Sequence, residues 1–209
     1  GSSVSAPWRS LLELYAVIER ETAAFQAHFN VHCPEGCGTC CEHFIPDPSE
    51  LEASLIAAYL LYVKQDDSLI DRLVNFDDAS KTCPLYSSVS PFHCTIYPVR
   101  GLICRLFGAC PSEDKGGHPV FRPCKYNSDH SASFLGAERF SDAKEQVLTM
   151  QRYAVQFNAL STNGTTRTLA EAVLREMNRL RFIGACLSSG SHDDDNGGSD
   201  PLMPTPQAS

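Results

Sequence analysis

From Pro7 to about Asn30, Leu11, Tyr15, Ile18, Thr22, Phe25 and Phe29 recur at steps of three and four, while Glu13, Glu19, Arg20 and Gln26 lie off that stripe. The spacing predicts an amphipathic helix. A second helix is predicted in DPSELEASLIAAYLLYV, running to about Lys64. Asp47 is its expected N-cap, Pro48 fits the first helical position, and Glu50 can complete a capping box. A short helix is expected over 68–76. A longer one is expected from about 142 to 160, capped by Ser141, with Val147, Met150, Tyr153, Ala154 and Phe157 on its apolar face. The last opens on the capping box Thr168-Leu169-Ala170-Glu171, and its apolar set is Leu169, Val173, Leu174, Met177 and Leu180. It should run to about Ile183, where Gly184 would end it.

Between 79 and 135 this periodicity stops. Pro84, Pro91, Pro98, Pro111, Pro119 and Pro123 break it, as do Gly101, Gly108, Gly116 and Gly117. IYPVRGLICRLF (96–107) has room for one helical turn or a short strand. A compact domain rarely keeps so long an irregular stretch unless something functional orders it. Ordering costs about 1–2 kcal/mol of backbone entropy per residue. From 188 onward the chain turns acidic and low in complexity, the signature of a disordered tail. The fold class that follows is mainly α, with four to five helices around an irregular cysteine-rich metal-binding centre. We expect a single α-helical domain over 1–187, with a cysteine-cluster motif at 33–124 and an acidic tail over 188–209.

Cysteine changes the picture most. Ten occur in 209 residues, and nine of them fall between Cys33 and Cys124. CPEGCGTCC, at 33–41, holds four. A disulfide framework, a metal site and a reactive thiol centre are the physical options. Disulfide-stapled domains are usually below about 100 residues and lack a good core; here the helical segments and a hydrophobic content of 43% supply one. A disulfide-stapled binding protein therefore stays only as an alternative. Thiolates bind zinc and iron when several converge, and close spacing keeps the loop entropy small. Cys33, Cys37 and Cys40 offer three ligands, with Gly36 and Gly38 allowing tight turns. Cys41 follows Cys40 directly, and adjacent side chains usually diverge, so it is expected to serve a second iron or a neighbouring site. Cys83, Cys94, Cys104, Cys110 and Cys124 would close the coordination from a distance. Cys186 reads as a small buried hydrophobe. His32, His43 and His93 lie near cysteines, and His93 is the histidine to test as a ligand.

Charge points the same way. Lys81, Arg100, Arg105, Lys115, Arg122 and Lys125 face only Glu113 and Asp114 within 81–125, six positive against two negative, in a chain of net charge -8. A metal held by four thiolates carries a net charge of about -2, which such cations offset. Arg100 and Arg105 are the expected cofactor-binding residues, with Arg105 the better placed.

These residues carry a resemblance. CPEGCGTCC followed by CPLYSSVSPFHCTIYPVRGLICRLF resembles the YkgJ-type cysteine-cluster family of zinc- or iron-chelating proteins. That family's pattern runs C-x3-C-x2-C-C, then C-P, then C-x-I-Y-x-x-R-P-x-x-C-R-x-F. Cys33, Cys37, Cys40, Cys41, Cys83-Pro84, Cys94, Ile96-Tyr97, Arg100, Cys104-Arg105 and Phe107 match it in order, and Gly101 stands where the pattern has proline. The likeness covers about 33–124. It implies a metal centre and kinship with the domain of flagellin lysine N-methylases.

Zinc ribbons pair two tight C-x2-4-C knuckles. A single dense triplet with distant closers suits an iron–sulfur cluster better. Iron, as such a cluster, or zinc is the expected cofactor, and the metal is expected to order the central segment. A metal-dependent enzyme, methylase-like or redox, is the competing class. Radical-SAM chemistry is disfavoured because the strand–helix alternation and glycine-rich loop it needs are not seen. The negative net charge disfavours nucleic acid. The longest apolar run, LIAAYLLYV, is half a bilayer span. The expected partners are a metal ion and, beyond it, room for a protein; the expected location is the cytoplasm.

Overall fold

The computed structural model describes residues 5–31, 33, 36–125, 134–141, 147–161 and 167–189. Its helices are α1 (Ser5–Phe29), α2 (Glu50–Tyr59), α3 (Asp67–Val74), the single-turn α4 (Leu102–Leu106), α5 (Met150–Asn158) and α6 (Leu169–Ser189). A two-stranded antiparallel hairpin, β1 (Ser112–Glu113) and β2 (Pro119–Val120), is the only sheet among the described residues. The mainly helical reading holds, with the short α4 as an additional element.

α1 forms as its stripe predicts. Leu11, Tyr15, Ile18 and Thr22 are buried in order along it, and Thr22 returns its hydroxyl to the Ile18 carbonyl at 2.8 Å. α2 begins two residues later than expected. Its cap is Ser49, not Asp47, and the box partner is Glu52, not Glu50: Ser49 Oγ accepts from the Glu52 amide at 3.2 Å, and Glu52 Oε2 accepts from the Ser49 amide at 2.8 Å. The reason is tertiary, because only this register turns Glu52 inward, where it is 6% exposed. After Tyr59 the helix widens into a π turn, Leu60–Lys64, closed by Gln65 in the left-handed region at φ 50°.

The predicted 142–160 helix begins only at Met150. Thr149, not Ser141, is the cap, accepting from the Arg152 amide, while Ser141 donates instead to the Glu138 carbonyl. Residues 142–146 lie outside the described residues. The Thr168–Glu171 box forms as expected. Gly184 does not end α6, which continues to Ser189. A helix-interior glycine costs about 1 kcal/mol, less than breaking the run of hydrogen bonds to either side of it. The tail beyond 189 lies outside the described residues.

α6 packs along α2 and reaches α3, while α1 crosses α2, α4 and α5. Ile56, Leu60, Leu73, Leu85, Leu106, Val173 and Met177 fill the space between. A second, aromatic cluster sits at the far end of α1, where Phe25 and Phe29 pack with Phe121 and Phe140 at ring distances of 4.9–6.2 Å. The irregular middle therefore has helices behind it on several sides, and its inner surface carries the thiols.

Candidate metal centre

Two loops build the site, and backbone contact holds them together. The CPEGCGTCC loop turns through a 3₁₀ segment, Thr39–Glu42, with the Cys41 amide on the Gly38 carbonyl at 2.8 Å. The Cys83 amide then donates to the Cys41 carbonyl at 2.7 Å, joining this loop to the second. The second loop folds back on itself through the Tyr86–Cys94 bridge, Ser87 amide to His93 carbonyl at 3.0 Å and Thr95 amide to Leu85 carbonyl at 3.0 Å. His93, at φ 52°, hydrogen-bonds through Nδ1 with the Gly36 carbonyl and stacks on Tyr86 at 5.9 Å. It clamps the two loops and does not line the thiol cavity. His43 is exposed, and His32 lies outside the described residues.

The glycines serve loop contact. A Cβ on Gly38 would stand 2.1 Å from the His93 Cβ, and one on Gly36, at φ +73°, would stand 2.7 Å from the Pro91 carbonyl oxygen. Gly38→Ala must therefore force the loops apart, and overpacking of this kind costs about 1–3 kcal/mol. We expect a lowered denaturation midpoint at unchanged helix content; an unaltered midpoint would show that the loops do not touch here.

Six thiols, those of Cys37, Cys40, Cys41, Cys83, Cys94 and Cys104, line one cavity of about 230 Å³. Its remaining wall is largely apolar, from residues that include Ile56, Leu85, Ile96, Leu102 and Phe107. No disulfide links any of the ten cysteines. The Cys40 and Cys41 side chains do not diverge as expected, because the 3₁₀ turn brings them together. A hydrogen bond from Cys41 lowers the Cys40 thiol to about 6, and the same bond, with burial and the neighbouring thiols, pushes Cys41 up. Burial pushes Cys83 and Cys104 up to about 12 and raises Cys94. Buried thiols of this kind are protonated at neutral pH until a cation replaces the proton.

The other four cysteines sit elsewhere. Cys33 is raised to about 11, by burial first and then by Cys37, Cys124 and Cys40, which places it at the outer edge of the cluster. Cys124 packs on Gly108, whose added Cβ would lie 3.0 Å away. Cys110 is a member of the main core, 6% exposed, raised to about 12 by burial alone. Cys186 is exposed on α6, not buried as its composition suggested. Cys110→Ala and Cys186→Ala should accordingly leave metal content unchanged by elemental analysis, with Cys110→Ala alone lowering stability, by about 1 kcal/mol for the lost packing. Loss of a metal equivalent in either protein would contradict this partition.

The two arginines divide their work. Arg100 lines the cavity with its guanidinium carbon 4.0 Å from the Tyr97 ring centroid, and it favours the thiolate forms of Cys33, Cys40, Cys94 and Cys104. Its Nε is buried without an acceptor. Arg105 does not line the cavity. Its guanidinium pairs with Glu19, donates to the Arg100 and Pro98 carbonyls at 3.0 and 2.8 Å, and lies 4.1 Å from the Tyr15 ring centroid. It ties the 98–105 segment to α1. Glu52 went unnoticed in the sequence. Besides Ser49, it accepts from the Leu102 amide at 2.7 Å and the Tyr15 hydroxyl at 3.0 Å, so one carboxylate joins α1, α2 and α4 beneath the cavity. An S-x-x-E box was its only sequence signal. Gly101 adopts φ −65°, a value proline also takes, so glycine here does not alter the turn.

Residues 32–128 match the family model CxxCxxCC, described as a "Putative zinc- or iron-chelating domain". This segment is similar to the CxxCxxCC family, and the match covers less than half of the chain. No curated protein and no solved structure matches the chain. The matched segment is cysteine-rich, the domain it resembles is described as zinc- or iron-chelating, and two observations in the structure fit a bound metal. Its donors are soft thiols gathered on one cavity, and the buried Arg100 Nε lacks the anionic acceptor that a metal–thiolate centre provides. Among the described residues, no group of three or more His, Cys, Asp and Glu side chains is closed to the geometry of a single ion. No described helix is long and apolar enough to cross a membrane.

Proposed function

We propose that the CxxCxxCC domain holds iron as an iron–sulfur cluster, with ligands drawn from Cys37, Cys40, Cys41, Cys83, Cys94 and Cys104. One observation carries this reading: six thiols surround a cavity of about 230 Å³. A single zinc ion uses four ligands and draws sulfurs to about 2.3 Å from itself, whereas a cluster holds its thiolates apart by its own width. Bound there, the cluster would supply one-electron redox capacity and a fixed local charge. Arg100 offsets that charge and gives its Nε an acceptor. Cys33 and Cys124 do not line the cavity and stand outside this ligand set.

The metal then links the CPEGCGTCC loop to the 83–104 segment. Ordering the middle of the chain is its first role. Elemental analysis and visible absorption of anaerobically purified protein test the proposal. Iron with acid-labile sulfide and a brown colour supports it. Colourless protein carrying stoichiometric zinc overturns the cluster while leaving the thiol site standing.

A further inference from the structure

One charged group on the cavity wall is fixed in place and still lacks a partner. Among the described residues, Arg100 Nε is the one buried side-chain nitrogen or oxygen without a hydrogen bond. Such a donor is rare in a native protein and calls for an acceptor. The rest of the residue is held from three sides. Its guanidinium carbon lies 4.0 Å from the Tyr97 ring centroid, and Tyr97 stacks in turn on Phe92 at 4.3 Å. Its amide donates to the Tyr97 carbonyl at 3.4 Å, closing the turn over 97–100. Its carbonyl accepts from Arg105 Nε at 3.0 Å, and Arg105 is anchored to Glu19 of α1. The face of Tyr97 is only a weak acceptor. Two carboxylates also line the cavity. Glu52 already accepts from Ser49, Leu102 and Tyr15, and Asp47 is exposed. That leaves the six sulfurs.

We infer that Arg100 Nε donates to metal-bound sulfur and thereby sets which charge state the centre prefers. The inference rests on the metal reading of this cavity and adds to it a residue that controls retention and redox poise. Hydrogen bonds to the sulfurs of a metal centre, and charge beside them, are the protein's levers on its reduction potential. A cationic donor favours the more negative, reduced state, so Arg100 raises the potential and slows loss of the metal. Only an electron moves when the centre is reduced, supplied in the test by dithionite, because a guanidinium keeps its proton at any ordinary pH. Lysine is no substitute here. It carries the charge on a flexible stem, without the planar Nε–H that the Tyr97 stack holds in position.

Three variants of the full chain, purified without oxygen, test this: Arg100→Lys, Arg100→Gln and Lys115→Gln. The last removes an exposed cation of the same basic segment. Release of bound metal to EDTA and the midpoint of a dithionite titration are measured on each. Both Arg100 variants should release metal about tenfold faster, as loss of an outer partner of a metal ligand does. Their midpoint should fall by about 59 mV, a tenfold loss of preference for the reduced state in a one-electron couple. Lys115→Gln should match the wild type in both. A wild-type value of either quantity in Arg100→Lys overturns the inference, as does Lys115→Gln moving as far as Arg100→Gln, which would make net charge the cause. Should Arg100→Gln fail to fold, Arg100→Lys decides alone. Wild type carrying zinc overturns the cluster and leaves the release rate to judge Arg100. Iron in every protein, with Arg100→Lys behaving as wild type, overturns only the role of Arg100.

Discussion

Cys40→Ser is expected to lose the metal and to open the middle of the chain to protease. Cys40 lines the cavity, and its charge reaches Cys33, Cys41, Cys83, Cys94 and Cys104. Serine nearly preserves size but presents a hard hydroxyl that soft metals do not favour. Loss of an outer partner of a metal ligand already costs about 10–100-fold in affinity, so loss of a central ligand should reach at least the upper end. Structural metal contributes about 10–16 kcal/mol in small peptides. Here that figure is an upper bound, since α1, α2 and α6 bury a core of their own. Trypsin should therefore cut within 81–125 while the helical core persists, with helical circular dichroism largely retained. Equal metal content and an identical digestion pattern in wild type and Cys40→Ser would refute this account.

Glu52→Gln is expected to destabilise the protein by about 2–3 kcal/mol, the cost of leaving a buried polar group unsatisfied. The side chain keeps its shape. The replaced oxygen, however, becomes an amide NH2 group that cannot accept from the Ser49 amide or from the Leu102 amide and Tyr15 hydroxyl, depending on which end it takes. Tyr15→Phe removes one donor without stranding the carboxylate and should cost less, about 1 kcal/mol. Urea denaturation of the three proteins measures both. Equal midpoints for wild type and Glu52→Gln would mean that the carboxylate is not the junction of α1, α2 and α4. Because Leu102 opens the turn that presents Cys104, Glu52→Gln should also loosen the metal site.

The helices were legible because each carries its own periodic face. The α1 stripe buries Leu11, Tyr15, Ile18 and Thr22 and half-buries Phe25 and Phe29 as its spacing requires, and the Thr168–Glu171 box needs nothing beyond four consecutive residues. Boundaries were less legible. Asp47 and Ser49 are both good caps locally, and Tyr15 and Leu102, distant in sequence, favour the register that uses Ser49. Gly184 looked like a stop, yet the helix runs through it. The hairpin at 112–120 was invisible because two-residue strands have no period; Asp114, accepting from the Gly116 and His118 amides, sets that turn.

A thiol-rich centre, a helical scaffold and an irregular middle were all determined by the order of residues, since cysteine placement, apolar spacing and proline placement are local properties. Which sulfurs share a cavity was not. Tertiary packing placed six of the nine clustered cysteines on one cavity, sent Cys110 into the core, turned Arg105 toward Glu19 and away from that cavity, and brought Cys40 and Cys41 together on one turn. Direction in space depends on what each segment packs against, and those neighbours lie tens of residues away along the chain.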